Sequence, residues 1–275
     1  MEESELPNFE LEETSGNDND DRRIPSEKRE ICLNGCDRPA NVCLCNELPS
    51  EPISTSTQIF ILHHPHELRH RLATVPILCK CLRNCQTLVG RRLRKGSFPL
   101  LDSLHNASIN YHSGPHRAIF LFPGTDSSPA IELNQWVSSS SSSEDSLSDL
   151  VLIVFDGTWK HAKEMMAASL PFLSKFASKV CLDHDVSVEG ETIFDSDLIL
   201  RKEPFRGCMS TMEAVARSLR VLEPNGVEIE QRLISVLRAM VRFQASYLKP
   251  LKPRPKLSKK RKEDEKKNST LQLGL

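Results

Sequence analysis

Short apolar runs that break off abruptly into polar clusters recur along this chain. The clearest is residues 151–155, five β-branched or large apolar side chains in a row. The run is too short for a free-standing helix and predicts a strand buried on both faces, as in a parallel sheet. At Asp156 the character flips, and Asp156-Gly157-Thr158 has the residue types of a strand-to-helix turn. Trp159, Ala162, Met165, Met166 and Ser169 then recur at helical spacing, with Lys160, His161, Lys163 and Glu164 on the opposite face, which predicts an amphipathic helix. Two further runs repeat the pattern. Residues 57–62 end at His63-His64-Pro65, and residues 117–122 end at Pro123-Gly124-Thr125-Asp126. Ligands of open parallel sheets bind outside the carboxyl ends of the strands, so three such ends on one edge predict a composite pocket.

The remaining pattern fills in around these strands. Residues 67–86 are mostly helical in character, with an interruption near Thr74 ahead of Pro76. Residues 180–182 and 198–201 read as short strands, the second closing at Lys202-Glu203-Pro204. Ser210-Thr211-Met212-Glu213 is a capping box that opens a helix over 211–223, and a longer helix follows over 227–248. Strands alternating with helices give an α/β class with a mainly parallel sheet. Neither GxGxxG nor GxxxxGK[ST] occurs, so the pattern offers no local support for a dinucleotide or P-loop site. Residues 1–30 form an acidic arm too poor in apolar groups to order itself, 31–249 the folded domain and 250–275 a disordered basic tail. Within the domain, residues 31–50 read as a compact cysteine knuckle, and residues 138–149, nearly all Ser, Glu and Asp, as a flexible insertion.

Charge and cysteine content alter this picture in two ways. The formal net charge of -1 conceals strong asymmetry. Residues 1–30 sum to −7, residues 63–95 to +7 and residues 249–267 to +7, so a polyanionic partner is compatible with the neutral total. The nine cysteines are an odd number, four of them between Cys32 and Cys45. Without a secretion signal this favours thiols or a metal site over disulfides, and an intracellular protein. No apolar run approaches the roughly 18–20 residues that span a bilayer, so no membrane association is expected.

Asp156-Gly157-Thr158-Trp159 fits a D-x-T-W signature. Upstream lie Cys32, Cys36, Asp37-Arg38-Pro39, Cys43 and Cys45; downstream lie Leu200-Arg201-Lys202, Pro204, Ser210-Thr211 and Glu213-Ala214. Four blocks in this order resemble the DTW-domain family, the tRNA-uridine aminocarboxypropyltransferases, from about Cys32 to Tyr247. The resemblance implies a SPOUT-like α/β fold with a deep trefoil knot. It also implies S-adenosyl-L-methionine as donor, its 3-amino-3-carboxypropyl group passing to N3 of a tRNA uridine with release of methylthioadenosine. In that setting Asp156 is the candidate base, or the group that orients the uracil edge or the donor's amino group, with Thr158 beside it. Trp159 either packs in the core or stacks on a ring.

Pro123, Gly124 and Asp126 are candidates for the donor pocket, with a plain turn as the alternative. Arg201 and Lys202 are candidates for the donor carboxylate or a tRNA phosphate, against a solvated strand end. Ser210 and Glu213 are either donor-site residues or helix caps, and Glu67 and Thr74 resemble the family's first block. Cys32, Cys36, Cys43 and Cys45 can close one tetrahedral zinc site, with reduced buried thiols as the alternative. The three residues between Cys32 and Cys36, where the family usually has two, imply either a weakened metal knuckle or a slightly wider turn at Leu33-Asn34-Gly35. Core packing is expected for Cys79, Cys81 and Cys85, and His63 and His64, which end a strand, either fill satisfied structural roles or face substrate. Arg91, Arg92 and Arg94 are the expected contacts to tRNA phosphates. The Lys259-Lys260-Arg261-Lys262 run serves either RNA or nuclear import, leaving cytoplasm and nucleus both open. A homodimer is likewise open. Two rival readings stand beside the transferase: an S-adenosylmethionine-dependent RNA methyltransferase, and a non-catalytic zinc-dependent RNA-binding protein.

Overall fold

All strands of the sheet run the same way, which is what lets their polar ends meet. The structure, a computed structural model, describes residues 30–33, 35–70, 72–110, 117–125, 128–140, 149–182 and 209–247. Its strands are β1 (Gln58–His63), β2 (Cys85–Val89), β3 (Ala118–Leu121), β4 (Ile131–Glu132), β5 (Val151–Asp156) and β6 (Ser178–Cys181). They lie in the order β2-β1-β5-β3-β6-β4, with every pairing parallel. The described helices are α1 (Val75–Cys81), α2 (Pro99–Asn110), α3 (Leu133–Ser140), α4 (Trp159–Leu173), α5 (Thr211–Leu222) and α6 (Gly226–Ala245).

Both faces of the sheet are covered, which explains why the central strands read as unbroken apolar runs. Successive side chains of a strand alternate between faces. Accordingly Ile59, Ile61, Leu152 and Val154 join one core with Val215 and Leu219 of α5 and Leu233 and Leu237 of α6. Phe60, Leu62, Ile153 and Phe155 join the other, with Leu101 of α2 and Met165 and Phe172 of α4. The β1–β5 register sets His63 directly beside Asp156. By alternation these two belong to the α5 face, and His64 to the α4 face.

Most predicted elements lie within a few residues of their expected positions, including the strands at 57–62, 117–122, 151–155 and 180–182 and the helices after Trp159, Thr211 and Val227. The helical expectation for 67–86 is corrected. A 3-10 turn (Pro65–Arg69) and a short α1 occupy its first part, and residues from Cys85 onward form the edge strand β2. Of the two roles open to Pro76, breaking a helix or restarting one near Thr74, the structure shows the second: it sits in the first turn of α1, where its missing N–H costs nothing. The strand expected at 198–201 lies outside the described residues. So does the path of residues 183–208, on which the knot implied by the resemblance turns, and so do both arms. Of the serine-rich stretch, Ser138–Ser140 close α3, and 141–148 lie outside the described residues. No helix among the described residues is long and apolar enough to cross a membrane.

Candidate active site

Asp156 is the last residue of β5 and is buried. Its carboxylate is held at both oxygens. His63 Nδ1, at the end of β1, lies 2.6 Å from Oδ2 and donates to it, and the Thr211 hydroxyl at the start of α5 donates to Oδ1. The backbone carbonyl of Asp156 accepts the N–H of His64 at 2.9 Å. Three elements from distant parts of the chain thus converge on one carboxylate. Asp156 does not cap the next helix; Thr158 fills that role, its Oγ1 accepting the N–H of His161.

Asp156 forms part of the wall of a cavity of about 470 Å³, within the range of small-ligand sites. Gly157, Thr158 and Trp159 continue the wall from the same turn. Phe122 and Pro123 contribute from the end of β3, Glu67 and Thr74 from the segment after β1, and Ser210 and Thr211 from the start of α5. Trp159 meets Phe122 edge-on, with ring centroids 6.2 Å apart, and Phe122 meets Phe155 in the same manner at 6.1 Å. The pocket therefore pairs an aromatic wall with two buried carboxylates, Glu67 and Asp156, the second held at both oxygens.

The other expected residues divide. Pro123 lines the cavity, whereas Gly124 supports it from behind: a Cβ there would stand 2.9 Å from the backbone nitrogen of Ala130, so only glycine permits that loop to close. Ser210 lines the cavity and also caps α5, accepting the N–H of Glu213. Glu213 is fully buried, does not line the cavity, and pairs with Arg217 at 3.1 Å. Asp126, Arg201 and Lys202 lie outside the described residues. Arg91, Arg92 and Arg94 are exposed on the loop after β2, at the same sheet edge as the pocket. Cys81 is buried in the core as expected, and the Cys79 and Cys85 sulfurs lie 3.2 Å apart. Thr211 and His63 are the residues that sequence reasoning underrated. Thr211 was hidden inside a capping box that does not need its hydroxyl. His63 carried a signal in closing an apolar run, but its partner lies 93 residues away.

The cysteine knuckle is a separate structure, docked on α6. Arg38 is buried, donating to the Val42 carbonyl and to Gln244 Oε1. The turn between Cys32 and Cys36 is accommodated by Gly35 at φ 108°, in the left-handed region that suits glycine. The Cys32 sulfur lies 3.3 Å from that of Cys43 and 3.5 Å from that of Cys45, and Cys36 lies 3.6 Å from Cys43. All four sulfurs are within 4.8 Å of one another. Four thiolates bound at 2.3 Å around a tetrahedral zinc would be separated by about 3.8 Å, so the donor set fits that ion. Burial raises the Cys36 thiol, but the backbone N–H groups of Leu44 and Arg38 and the neighbouring thiols outweigh it and bring it down to about 6. Burial, then the Cys32 and Cys43 thiols, push Cys45 up to about 12. The neighbouring thiols thus favour ionisation of Cys36 and oppose that of Cys45.

Residues 29–245 match the DTW domain. The chain is 50% identical over 248 residues to tRNA-uridine aminocarboxypropyltransferase A of Arabidopsis thaliana, covering 88% of this chain and 91% of that protein. It is 30% identical over 225 residues to tRNA-uridine aminocarboxypropyltransferase 2 of Macaca fascicularis, covering 81% and 66% respectively. The protein of that name from Drosophila melanogaster is 31% identical over 222 residues, covering 80% and 77%. No solved structure gives a significant match.

Proposed function

The chain belongs to the DTW-domain family, and from that premise we propose that it is a tRNA-uridine aminocarboxypropyltransferase with its active site at Asp156. The observation that carries this reading is the buried Asp156 carboxylate, fixed at both oxygens and forming part of the wall of a ligand-sized aromatic cavity.

The reaction takes S-adenosylmethionine as donor. When bound, this group supplies an electrophilic γ-carbon on a sulfonium; uridine N3 bonds to that carbon as the carbon–sulfur bond breaks, and methylthioadenosine leaves. N3 is a poor nucleophile while it keeps its proton, so the enzyme must orient the uracil and receive that proton. Asp156 is the group placed to do so. Its His63 and Thr211 contacts fix the direction of the carboxylate, so little reorganisation is required when substrate arrives. Trp159, Phe122 and Phe155 give the donor and base an apolar surface and keep water from the sulfonium. Thr158 and Ser210 offer hydroxyls at the cavity wall. Arg201, Lys202 and Asp126 complete the proposed donor site, and Arg91, Arg92 and Arg94 the proposed path of tRNA phosphates along the sheet edge. Cys32, Cys36, Cys43 and Cys45 are proposed to hold one structural zinc, which would hold the two ends of the knuckle together.

Analysis of the small-molecule product tests the reaction class. With unmodified tRNA and S-adenosylmethionine, the proposal predicts methylthioadenosine. S-adenosylhomocysteine in its place would convert the reading to methyl transfer.

A further inference from the structure

On the face of the sheet opposite the His63–Asp156 pair, a second cluster backs onto the same turn. His64 is buried at the end of β1, His66 is exposed in the Pro65–Arg69 turn, and His161 is half-buried in the first turn of α4. The His64 and His161 rings are stacked, with centroids 3.8 Å apart and planes inclined by 12°, and His66 stands edge-on to both at 4.8 and 5.2 Å. One ring nitrogen from each lies within 4.8 Å of the others. We propose that His64, His66 and His161 form a binding site for a borderline divalent transition-metal ion such as zinc, separate from the four-cysteine cluster.

Three independent features support this. His161 Nδ1 is buried and has no hydrogen-bond partner, so a lone pair or N–H is left unsatisfied in the interior. Gly157 provides the space for the pair: a Cβ there would approach the His161 Cβ to 3.1 Å and the His64 Cβ to 3.3 Å. The polar contact made by His64 within the cluster is weak, the His66 N–H reaching its Nδ1 at 3.3 Å. Ligation by His64 exchanges that contact for a metal bond, either directly at Nδ1 or at Nε2 with the proton moved to Nδ1. Such ligation requires the stacked His64 and His161 rings to turn out of parallel, because each lone pair lies in its ring plane. An all-imidazole donor set selects zinc, nickel, copper or cobalt over magnesium or calcium. Three protein ligands leave the fourth tetrahedral position open for water or an external oxygen. An ion here would clamp β1, the turn that follows it and α4 together immediately behind the Asp156–Gly157 turn.

The test is cobalt titration of the full-length protein, followed by its visible spectrum. Wild type should take up a cobalt whose d–d bands appear without thiolate-to-metal charge transfer, in addition to one bound by sulfur. His66→Ala removes an exposed ligand and should weaken the nitrogen-only site by about a hundredfold or more, above the 10–100-fold typical of losing an outer-shell partner. His161→Gln should do likewise, and the thiolate signal should persist in both. Uptake and spectra identical in wild type and both variants would overturn the proposal. So would a wild type showing only the thiolate-bound ion. Neither result bears on tRNA modification, which is read separately from nucleoside products.

Discussion

The Asp156 cluster and the cysteine knuckle are both dense polar groupings, yet they are completed in opposite ways. Each Asp156 oxygen already has a protein donor, from β1 on one side and α5 on the other. The geometry exists before any ligand arrives, which is what a positioned catalytic group requires. In the knuckle, close contacts of 3.3–3.6 Å join sulfur to sulfur, and the thiols are driven apart, Cys36 to about 6 and Cys45 to about 12. That arrangement matches the donor set of the proposed zinc site. The knuckle also docks on α6 and contributes nothing to the cavity wall. Proximity of polar side chains therefore takes two forms here: a carboxylate whose oxygens are both held by protein donors, and four sulfurs spaced as the proposed zinc site requires.

The contrast breaks most readily at Asp156. Asp156→Ala should lower the transfer rate by about 10²–10⁴-fold, the usual worth of a positioned acid or base, while zinc content stays that of wild type. A variant that lost zinc as well as activity would show that the two clusters are one unit. The reverse experiment is Cys43→Ser, which removes the sulfur in contact with Cys32 and Cys36. It should abolish the thiolate-bound metal and lower Tm in a scanning thermal melt, because structural zinc binding is folding energy for so small a module. Its remaining folded protein should still bind S-adenosylmethionine.

A finer test concerns what holds the carboxylate. Thr211→Val keeps the shape and deletes one donor to Asp156. A hydrogen bond to a charged group is worth about 1.5–3 kcal/mol, so kcat should fall about 10–100-fold with KM for tRNA little changed. A rise in KM alone would recast Thr211 as a binding residue.

The smallest effect is a pH dependence. His64 is held below its ordinary value of 6.5, by burial first and then by His161, His66 and Arg91. The unfolded chain therefore binds this proton more readily than the folded one. The associated stability is present above about 6.5 and declines as pH falls below it. In chelator-treated protein, His64→Gln should flatten that part of the stability–pH curve measured by urea unfolding; an unchanged slope would show that other groups set it.

Much of this arrangement was legible in the chain, for reasons that also mark the limits. Runs such as 151–155 announce strands because a parallel sheet buries both faces, and the flip at Asp156 announces a strand end. The capping box gave the start of α5 because it is local chemistry. What pairs with Asp156 was not legible, since it depends on β1–β5 register and on an α5 threonine 55 residues away. Edge position hid β2, whose side chains alternate too weakly to distinguish it from the helix that precedes it. Gly124 reads as either a donor-pocket residue or part of a plain turn, and its close packing against Ala130 is a contact that neither reading contains.

The central claim is that the pocket around Asp156 transfers an aminocarboxypropyl group to tRNA. Its most direct test is nucleoside mass spectrometry of unmodified tRNA incubated with labelled S-adenosylmethionine and either wild type or Asp156→Ala. The account predicts a uridine heavier by the labelled aminocarboxypropyl group with wild type and at least about a hundredfold less of it per unit time with the variant. A methylated nucleoside, or equal modification by both proteins, would contradict it.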